Sequence, residues 1–232
     1  MKKLFLVIFV MLSYHSQSQE SLYSIGIQGG QVIPGQDFSN FADKGFAGEL
    51  NLRRSVGKKL SVLLSTNFEK MNAPGSDSDW RKFSANIGPS YQILNKKIKA
   101  SLFGQIGYAS QRVPEINSYY PNTKVLVKSM KDSKLNSLQG VIGVKFGYSI
   151  NSRVSLFVKP QYNTNFNKVS YQSRDVSPAI DDRGQLDIEA ANNINFQNRT
   201  VNPSTGSINV GIDINFANDW NSTRSNKTSK TS

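Results

Sequence analysis

The amino-acid sequence predicts an all-β protein, an eight-stranded antiparallel up-and-down β-barrel. Three observations lead to this fold class. Apolar and polar residues alternate strictly through eight segments of the 232-residue chain, which is the period of a β-strand. The segments keep this alternation for about ten residues, longer than a typical strand of a soluble domain. Short and long connections also alternate along the chain, as expected when hairpins are joined side by side.

The N-terminal segment is predicted to be separate from the fold. Two lysines precede an apolar run, Leu4 to Leu12, and small polar residues follow. This order is typical of a secretory signal peptide spanning residues 1–18 and cleaved before Gln19, whereas a buried first strand is the less favoured alternative. Nine apolar residues are too few to cross a bilayer as a helix. Cleavage removes His15, the only histidine, and the loss of two lysines lowers the net charge from +12 to +10.

The predicted strands follow in chain order, with one face of large apolar side chains and one of polar or small side chains. They span residues 23–28, 46–53, 60–69, 83–93, 98–108, 138–150, 154–166 and 208–216. The short turns lie at 55–58, 95–97 and 151–152, and the long connections at 29–45, 70–82, 111–136 and 168–204. Pro89 and Pro160 fall inside strands, where each removes a ladder donor and predicts a β-bulge.

This alternation fits both a soluble barrel with an apolar core and a membrane barrel with an apolar exterior. The strand length, the export signal, the aromatic residues near strand ends and the alternating loop lengths all favour the membrane. The sequence therefore predicts a transmembrane β-barrel over residues 19–216, with short periplasmic turns and long extracellular loops. It would lie in the bacterial outer membrane as a monomer, followed by a disordered periplasmic tail over residues 217–232.

The last strand carries a resemblance to known proteins. Asn209, Gly211, Ile214 and Phe216 match the pattern of the β-signal, by which outer-membrane proteins are handed to their insertion machinery. The chain up to Phe216 resembles small eight-stranded barrels of the OmpA and OmpX type, and especially the outer-membrane β-barrel family of Bacteroidota, which includes PorT-like proteins. It departs from the family by continuing beyond the aromatic residue.

The lumen-facing positions carry charges of both signs. An eight-stranded barrel has room inside only for side chains, so isolated charges there would be costly and an ion-pair network is predicted. Its expected members are Glu49, Arg53, Glu69, Lys99, Lys145, Lys159 and Asp213. The alternative, in which Lys145, Lys159 and Asp213 line a narrow ion path, is disfavoured by the barrel size.

Catalysis is not expected. The chain has no cysteine, and the mature protein would have no histidine, which excludes thiolate nucleophiles, thiolate metal sites and histidine bases. Enzymatic barrels such as lipid A acyltransferases, lipid A deacylases and omptins use a histidine. No cofactor and no nucleic-acid partner are predicted.

Basic residues cluster at the short turns. They are Arg54, Lys58, Lys59, Lys96, Lys97 and Arg153. This periplasmic basic rim would contact anionic headgroups or an acidic periplasmic partner. The alternative is that the turn lysines only keep the hairpin ends hydrated.

Specific function is expected in the long loops. The 111–136 loop combines Tyr119 and Tyr120 with lysines that would suit lipopolysaccharide phosphates or a surface protein, unless it only extends a solvated hairpin. The 168–204 loop is rich in Asp and Glu, but its spacing matches no calcium loop. The expected role is structural or surface-interacting. A PorT-like secretion-accessory role and a passive channel are the alternatives.

Overall fold

The computed structural model describes residues 23–74, 76 and 79–216. The predicted signal peptide and tail lie outside these residues. The strands, in chain order, are β1 (Tyr23–Pro34), β2 (Gly45–Ser55), β3 (Leu60–Asn72), β4 (Asp79–Asn95), β5 (Ile98–Val113), β6 (Ile116–Tyr119), β7 (Leu126–Met130), β8 (Ser133–Ser149), β9 (Val154–Asn165), β10 (Val169–Ser173), β11 (Gln197–Val201) and β12 (Thr205–Phe216). One short α-helix, α1 (Ile188–Asn193), and two single 3-10 turns lie in the connections. Within the described ranges no helix is long and apolar enough to cross a membrane.

Eight of these strands close into an antiparallel barrel in the order β1-β12-β9-β8-β5-β4-β3-β2. Closure is made by β1, in which Tyr23 pairs with Arg54 of β2 on one side and with Phe216 of β12 on the other. The predicted fold class is therefore confirmed. Several strands extend beyond the segments predicted from the alternation of apolar and polar residues. As a result, β3 reaches Asn72, β4 begins at Asp79, and the connection between them is much shorter than predicted.

The two faces of the barrel have opposite chemistry. The outward face carries exposed large apolar side chains, such as Ile27 at 64% exposure, next to the buried lumen-facing Gln28 at 5%. All eight barrel strands alternate between exposed and more buried residues in this way, so the prediction of which residues face outward and which face the lumen is confirmed. A water-soluble fold would bury the apolar face instead, because apolar surface is driven out of water.

The bulges predicted at Pro89 and Pro160 are wrong. The register between β4 and β5 is unchanged across Pro89, and that between β8 and β9 is unchanged across Pro160. Each proline pairs on its other side, with Val62 of β3 and Ile208 of β12 respectively. The missing N–H therefore leaves a gap in one ladder rather than an extra residue. The register shift in β4 lies instead between Gln92 and Leu94.

The long connections, predicted as loops, contain a second sheet. Strands from the 111–136 and 168–204 segments form a four-stranded sheet in the order β11-β10-β7-β6. The two segments are joined by the pairing of Gln172 with Ser129 and of Ser173 with Lys128. The long-loop end of the barrel is therefore a folded cap, which we call the loop cap.

Candidate functional site

Among the described residues, three ion pairs are stacked along the lumen of the barrel. Nearest the short turns, both carboxylate oxygens of Asp213 accept from Lys145 Nζ, at 2.6 and 2.8 Å. In the middle, Lys159 forms an ion pair across the lumen with Glu49. All four residues belong to the network predicted from the sequence. The structure brings them together as two separate pairs.

The third ion pair, between Lys82 and Glu69, is as deeply buried as the pair of Lys159 and Glu49. Lys82 Nζ lies 2.9 Å from Glu69 Oε2, and both side chains are almost fully excluded from solvent. Glu69 also accepts hydrogen bonds from Thr205 Oγ1 and from the amides of Asn163 and Asn67, at 2.7–3.0 Å. A buried carboxylate surrounded in this way has its charge and its lone pairs satisfied.

Lys82 is a member of this network that the sequence analysis does not predict. The alternation predicts a strand that begins at Phe83 and leaves Lys82 in the preceding connection, whereas β4 begins at Asp79. The signal was present in the sequence, because extending the alternation by one step places Lys82 on the polar face with Ser84 and Asn86.

Aromatic rings and serine hydroxyls contact the lumen cations. Lys145 Nζ lies 3.7 Å from the ring centroid of Phe157, and Lys159 Nζ lies 4.5 Å from that of Phe103. The other two predicted lumen cations contact serines: Arg53 Nε donates to Ser24 Oγ at 3.1 Å, and Lys99 Nζ donates to Ser155 Oγ at 3.4 Å. This packed interior is what a barrel of eight strands is expected to have.

An apolar cluster closes the long-loop end of the lumen. Trp80, directly beyond Lys82 on the same face of β4, packs edge-on against Phe38 with ring centroids 4.8 Å apart. The indole of Trp80 donates to the carbonyl of Phe41 at 2.7 Å. The cluster continues into the loop cap, since the ring of Phe41 lies 4.7 Å from that of Tyr171. The cap is therefore fixed to the barrel through buried side chains.

Arg174 holds the two long connections together. Its Nε donates to the carbonyl of Leu126, and its guanidinium donates to the carbonyls of Ala191 and Asn192 at 3.0 and 3.2 Å. The guanidinium also lies 4.7 Å above the ring of Phe196. A cation at the C-terminal carbonyls of α1 is favourable both as a donor and against the helix dipole.

Three acidic residues of the 168–204 segment accept hydrogen bonds from neighbouring residues of that segment. Asp175 accepts from the amide and hydroxyl of Ser177, and these hydrogen bonds hold the pKa of Asp175 below its ordinary value. Asp181 accepts from two turn amides, and Asp187 caps α1 by accepting from the amides of its first turn. Among the described residues, no three acidic or histidine side chains are grouped so as to hold a metal ion.

An open pocket lies between the loop cap and the upper ends of β5 and β8. It has a volume of about 450 Å³ and is lined by Lys131, Lys134, Lys168 and Tyr171, with serine and amide side chains between them. Among the described residues that line this pocket, three are cations and none is a carboxylate, so its chemistry suits an anionic or hydroxyl-rich ligand. Two of these lysines, Lys131 and Lys134, come from the 111–136 segment, whose lysines the sequence analysis names as candidates for binding phosphates or a surface protein.

The short-turn end carries the predicted basic rim. All six rim residues are exposed, and no acidic residue lies in the described turns 55–59, 96–97 and 150–153. Arg54 lies 5.6 Å above the ring of Tyr23, and Lys97 lies 5.3 Å above the ring of Tyr148. Backbone hydrogen bonds from neighbouring strands hold the turns in place, for example from Gln92 N to Lys59 O at 2.7 Å.

The residues of the predicted β-signal lie on β12, which pairs with β1 where the barrel closes. In β12, Asn209 and Gly211 face the lumen, while Ile214 and Phe216 face outward. A Cβ at Gly211 would lie 2.3 Å from the carbonyl oxygen of Ile27 and 2.7 Å from the ring of Phe157. Packing alone therefore requires glycine at this position.

A closed eight-stranded barrel with an apolar exterior and a packed polar lumen is the architecture of small outer-membrane β-barrels. The chain is similar in structure to Neisserial surface protein A, with 12% identity, a TM-score of 0.54, and coverage of 84% of this chain and 98% of that one. It is also similar to the outer membrane protein OprG from Pseudomonas aeruginosa, with 12% identity, a TM-score of 0.52, and coverage of 85% and 98%. No protein-family model and no curated protein matches the sequence. At these identities the similarity establishes the fold alone.

Proposed function

We propose that the protein is a monomeric, non-enzymatic outer-membrane β-barrel, exported through its signal peptide, whose loop cap binds a partner at the cell surface. The observation that carries the proposal is the pocket lined by Lys131, Lys134 and Lys168. The loops that form it are ordered by a sheet and by Arg174, so the cations are held on a rigid support. Ordered loops on a rigid scaffold are where binding sites commonly lie.

The membrane part of the proposal is supported by the exposed apolar wall. Side chains such as Leu50 and Ile142 are 50% and 64% exposed, and such a surface is stable only against lipid or detergent. We expect the protein in the outer-membrane fraction, with a heat-dependent change of migration in SDS gels. Recovery in the soluble periplasmic fraction would contradict this part.

Binding by the loop cap is tested with a polyanionic probe. The purified barrel in detergent is applied to immobilised dextran sulfate and eluted with salt. The double variant Lys131→Gln/Lys168→Gln should elute at lower salt than the unmodified protein, because screened charge attraction is lost. The control Lys44→Gln/Arg183→Gln removes the same charge from exposed positions outside the pocket and should elute unchanged. Equal elution of all three proteins would contradict binding at this pocket.

A passive channel is the less favoured function. Ion pairs fill the lumen, and the cluster around Trp80 and Phe38 closes it in the described part of the chain. We expect no single-channel conductance in planar bilayers. Regular conductance steps from the purified protein would contradict this.

A secretion-accessory role, as in PorT-like proteins, is the second candidate, and the exposed basic rim favours it. In this case the rim would dock an acidic periplasmic partner. Deletion of the gene should then reduce protein secretion, and a variant with neutral residues at Arg54, Lys58 and Lys97 should fail to restore it. Unchanged secretion after deletion would exclude this candidate.

A further inference from the structure

Strand register places four cations in one row on the outer wall of the barrel. In the ladders, Lys70 of β3 is paired with Arg81 of β4, Arg81 with Arg112 of β5, and Arg112 with Lys134 of β8. All four side chains point outward and are exposed. We call this set the cation row. It lies on the barrel wall at the long-loop end.

The cation row has more positive than negative charge. Asp79 lies 3.0 Å from Lys70 Nζ and 3.6 Å from the guanidinium of Arg81, and Asp132 lies 3.2 Å from that of Arg112. These are two carboxylates for four cations. Like charges directly opposite each other on neighbouring strands destabilise a sheet. Asp79 and Asp132 compensate two of the four positive charges, so the row keeps an excess of two positive charges that an anionic ligand would neutralise.

The surface beneath the row is apolar. Phe68 and Phe83 are paired on β3 and β4 one outward position below it, and are 42% and 57% exposed. An open groove of about 660 Å³ runs between these rings and the side chains of Arg81, Arg112 and Lys134. Cations thus stand at the edge of the apolar wall, with aromatic rings immediately below them.

We propose that the cation row binds the phosphorylated headgroup of a membrane lipid in the leaflet at the long-loop end. This inference rests on the proposed membrane location. Guanidinium forks on adjacent strands match the geometry of phosphate oxygens and donate charge-assisted hydrogen bonds to them. The acyl chains of the same molecule pack on Phe68, Phe83 and the apolar wall below. A soluble phosphate compound would leave that apolar half of the groove uncovered.

The test measures retention of diphosphorylated lipid A by the purified barrel in neutral detergent, using native mass spectrometry. Arg81→Gln/Arg112→Gln should weaken retention by about tenfold or more, because charge-assisted hydrogen bonds to phosphate are lost. Arg81→Lys/Arg112→Lys should restore part of it. The control Lys44→Gln/Arg183→Gln, which removes the same charge elsewhere, should retain the lipid normally.

Further measurements distinguish a lipid phosphate from free phosphate, and failure of the lipid site from failure of the proposed membrane location. Dephosphorylated lipid A should bind weakly, and millimolar inorganic phosphate should not displace the phosphorylated lipid. Displacement by inorganic phosphate, or equal retention by the Gln variant, would overturn the lipid site while leaving the membrane barrel intact. Heat-modifiable migration is recorded for every variant, and its absence in the unmodified protein would instead overturn the proposed membrane location.

Discussion

At the scale of single residues, the lumen depends on matched charge. Replacing Lys82 by Met leaves Glu69 buried without its cation, and breaking a buried ion pair by removing one partner costs about 3–5 kcal/mol. We expect Lys82→Met to reduce the free energy of unfolding by this amount. Urea unfolding of the vesicle-inserted barrel, followed by tryptophan fluorescence, measures it.

The double variant Lys82→Met/Glu69→Gln is the matched control for this loss. With the carboxylate also neutralised, no buried charge remains uncompensated, and most of the stability should return. If Lys82→Met alone were as stable as the unmodified protein, the buried pair would not contribute as the geometry indicates.

Two neighbouring residues on β2 test the assignment of faces. Leu50 is half exposed on the apolar wall, and Leu50→Arg should cost about 2–4 kcal/mol at mid-membrane depth. Asn51 faces the lumen, and neither of its amide atoms has a hydrogen-bond partner among the described residues. Asn51→Ala therefore breaks no hydrogen bond and should lower the free energy of unfolding clearly less than Leu50→Arg. The same urea unfolding compares them, and equal losses would contradict the assigned faces.

At the scale of elements, the loop cap depends on Arg174. Arg174→Ala removes donors to both long connections, so the 175–196 segment should be cleaved faster by added protease. The barrel strands do not involve this residue, and the heat-modifiable migration should be unchanged. Arg183→Ala, in the same segment, serves as the control. Identical cleavage of both variants would show that Arg174 does not hold the cap.

The eight barrel strands could be predicted because each one buries one face and exposes the other. This alternation is a local signal, and it continues for ten or more residues. The ion pairs of Asp213 with Lys145 and of Glu49 with Lys159 join residues already assigned to the lumen. The choice of carboxylate partner for each lysine depends on the register of strands around the barrel, and the sequence pattern of a single strand does not specify this register.

The second sheet could not be predicted for a related reason. β6, β7, β10 and β11 are only four or five residues long, which is too short for a clear alternation. Their pairing joins connections separated by the whole of β8 and β9, as in the contact of Gln172 with Ser129. The cation row could not be predicted either, because its members lie on four different strands and become neighbours only through the register of strand pairing.

At the scale of the whole molecule, chemistry changes along the barrel axis. The basic rim and its tyrosines stand at one end, followed by the ion pairs of the lumen, the Trp80 cluster, and the loop cap with its lysine pocket. The lumen is closed, so the two ends do not communicate through a conduit in the described residues.

The basic rim provides a prediction for the molecule as a whole. We expect simultaneous substitution of Arg54, Lys58, Lys59, Lys96 and Lys97 by Gln to slow folding into vesicles that contain phosphatidylglycerol. Each basic residue near an anionic surface contributes about 1 kcal/mol of attraction. Folding into neutral phosphatidylcholine vesicles should be unchanged, because no surface charge attracts the rim there. Gel-shift time courses in both vesicles measure this. Equal rates in anionic vesicles would favour the alternative in which the turn lysines only hydrate the hairpin ends.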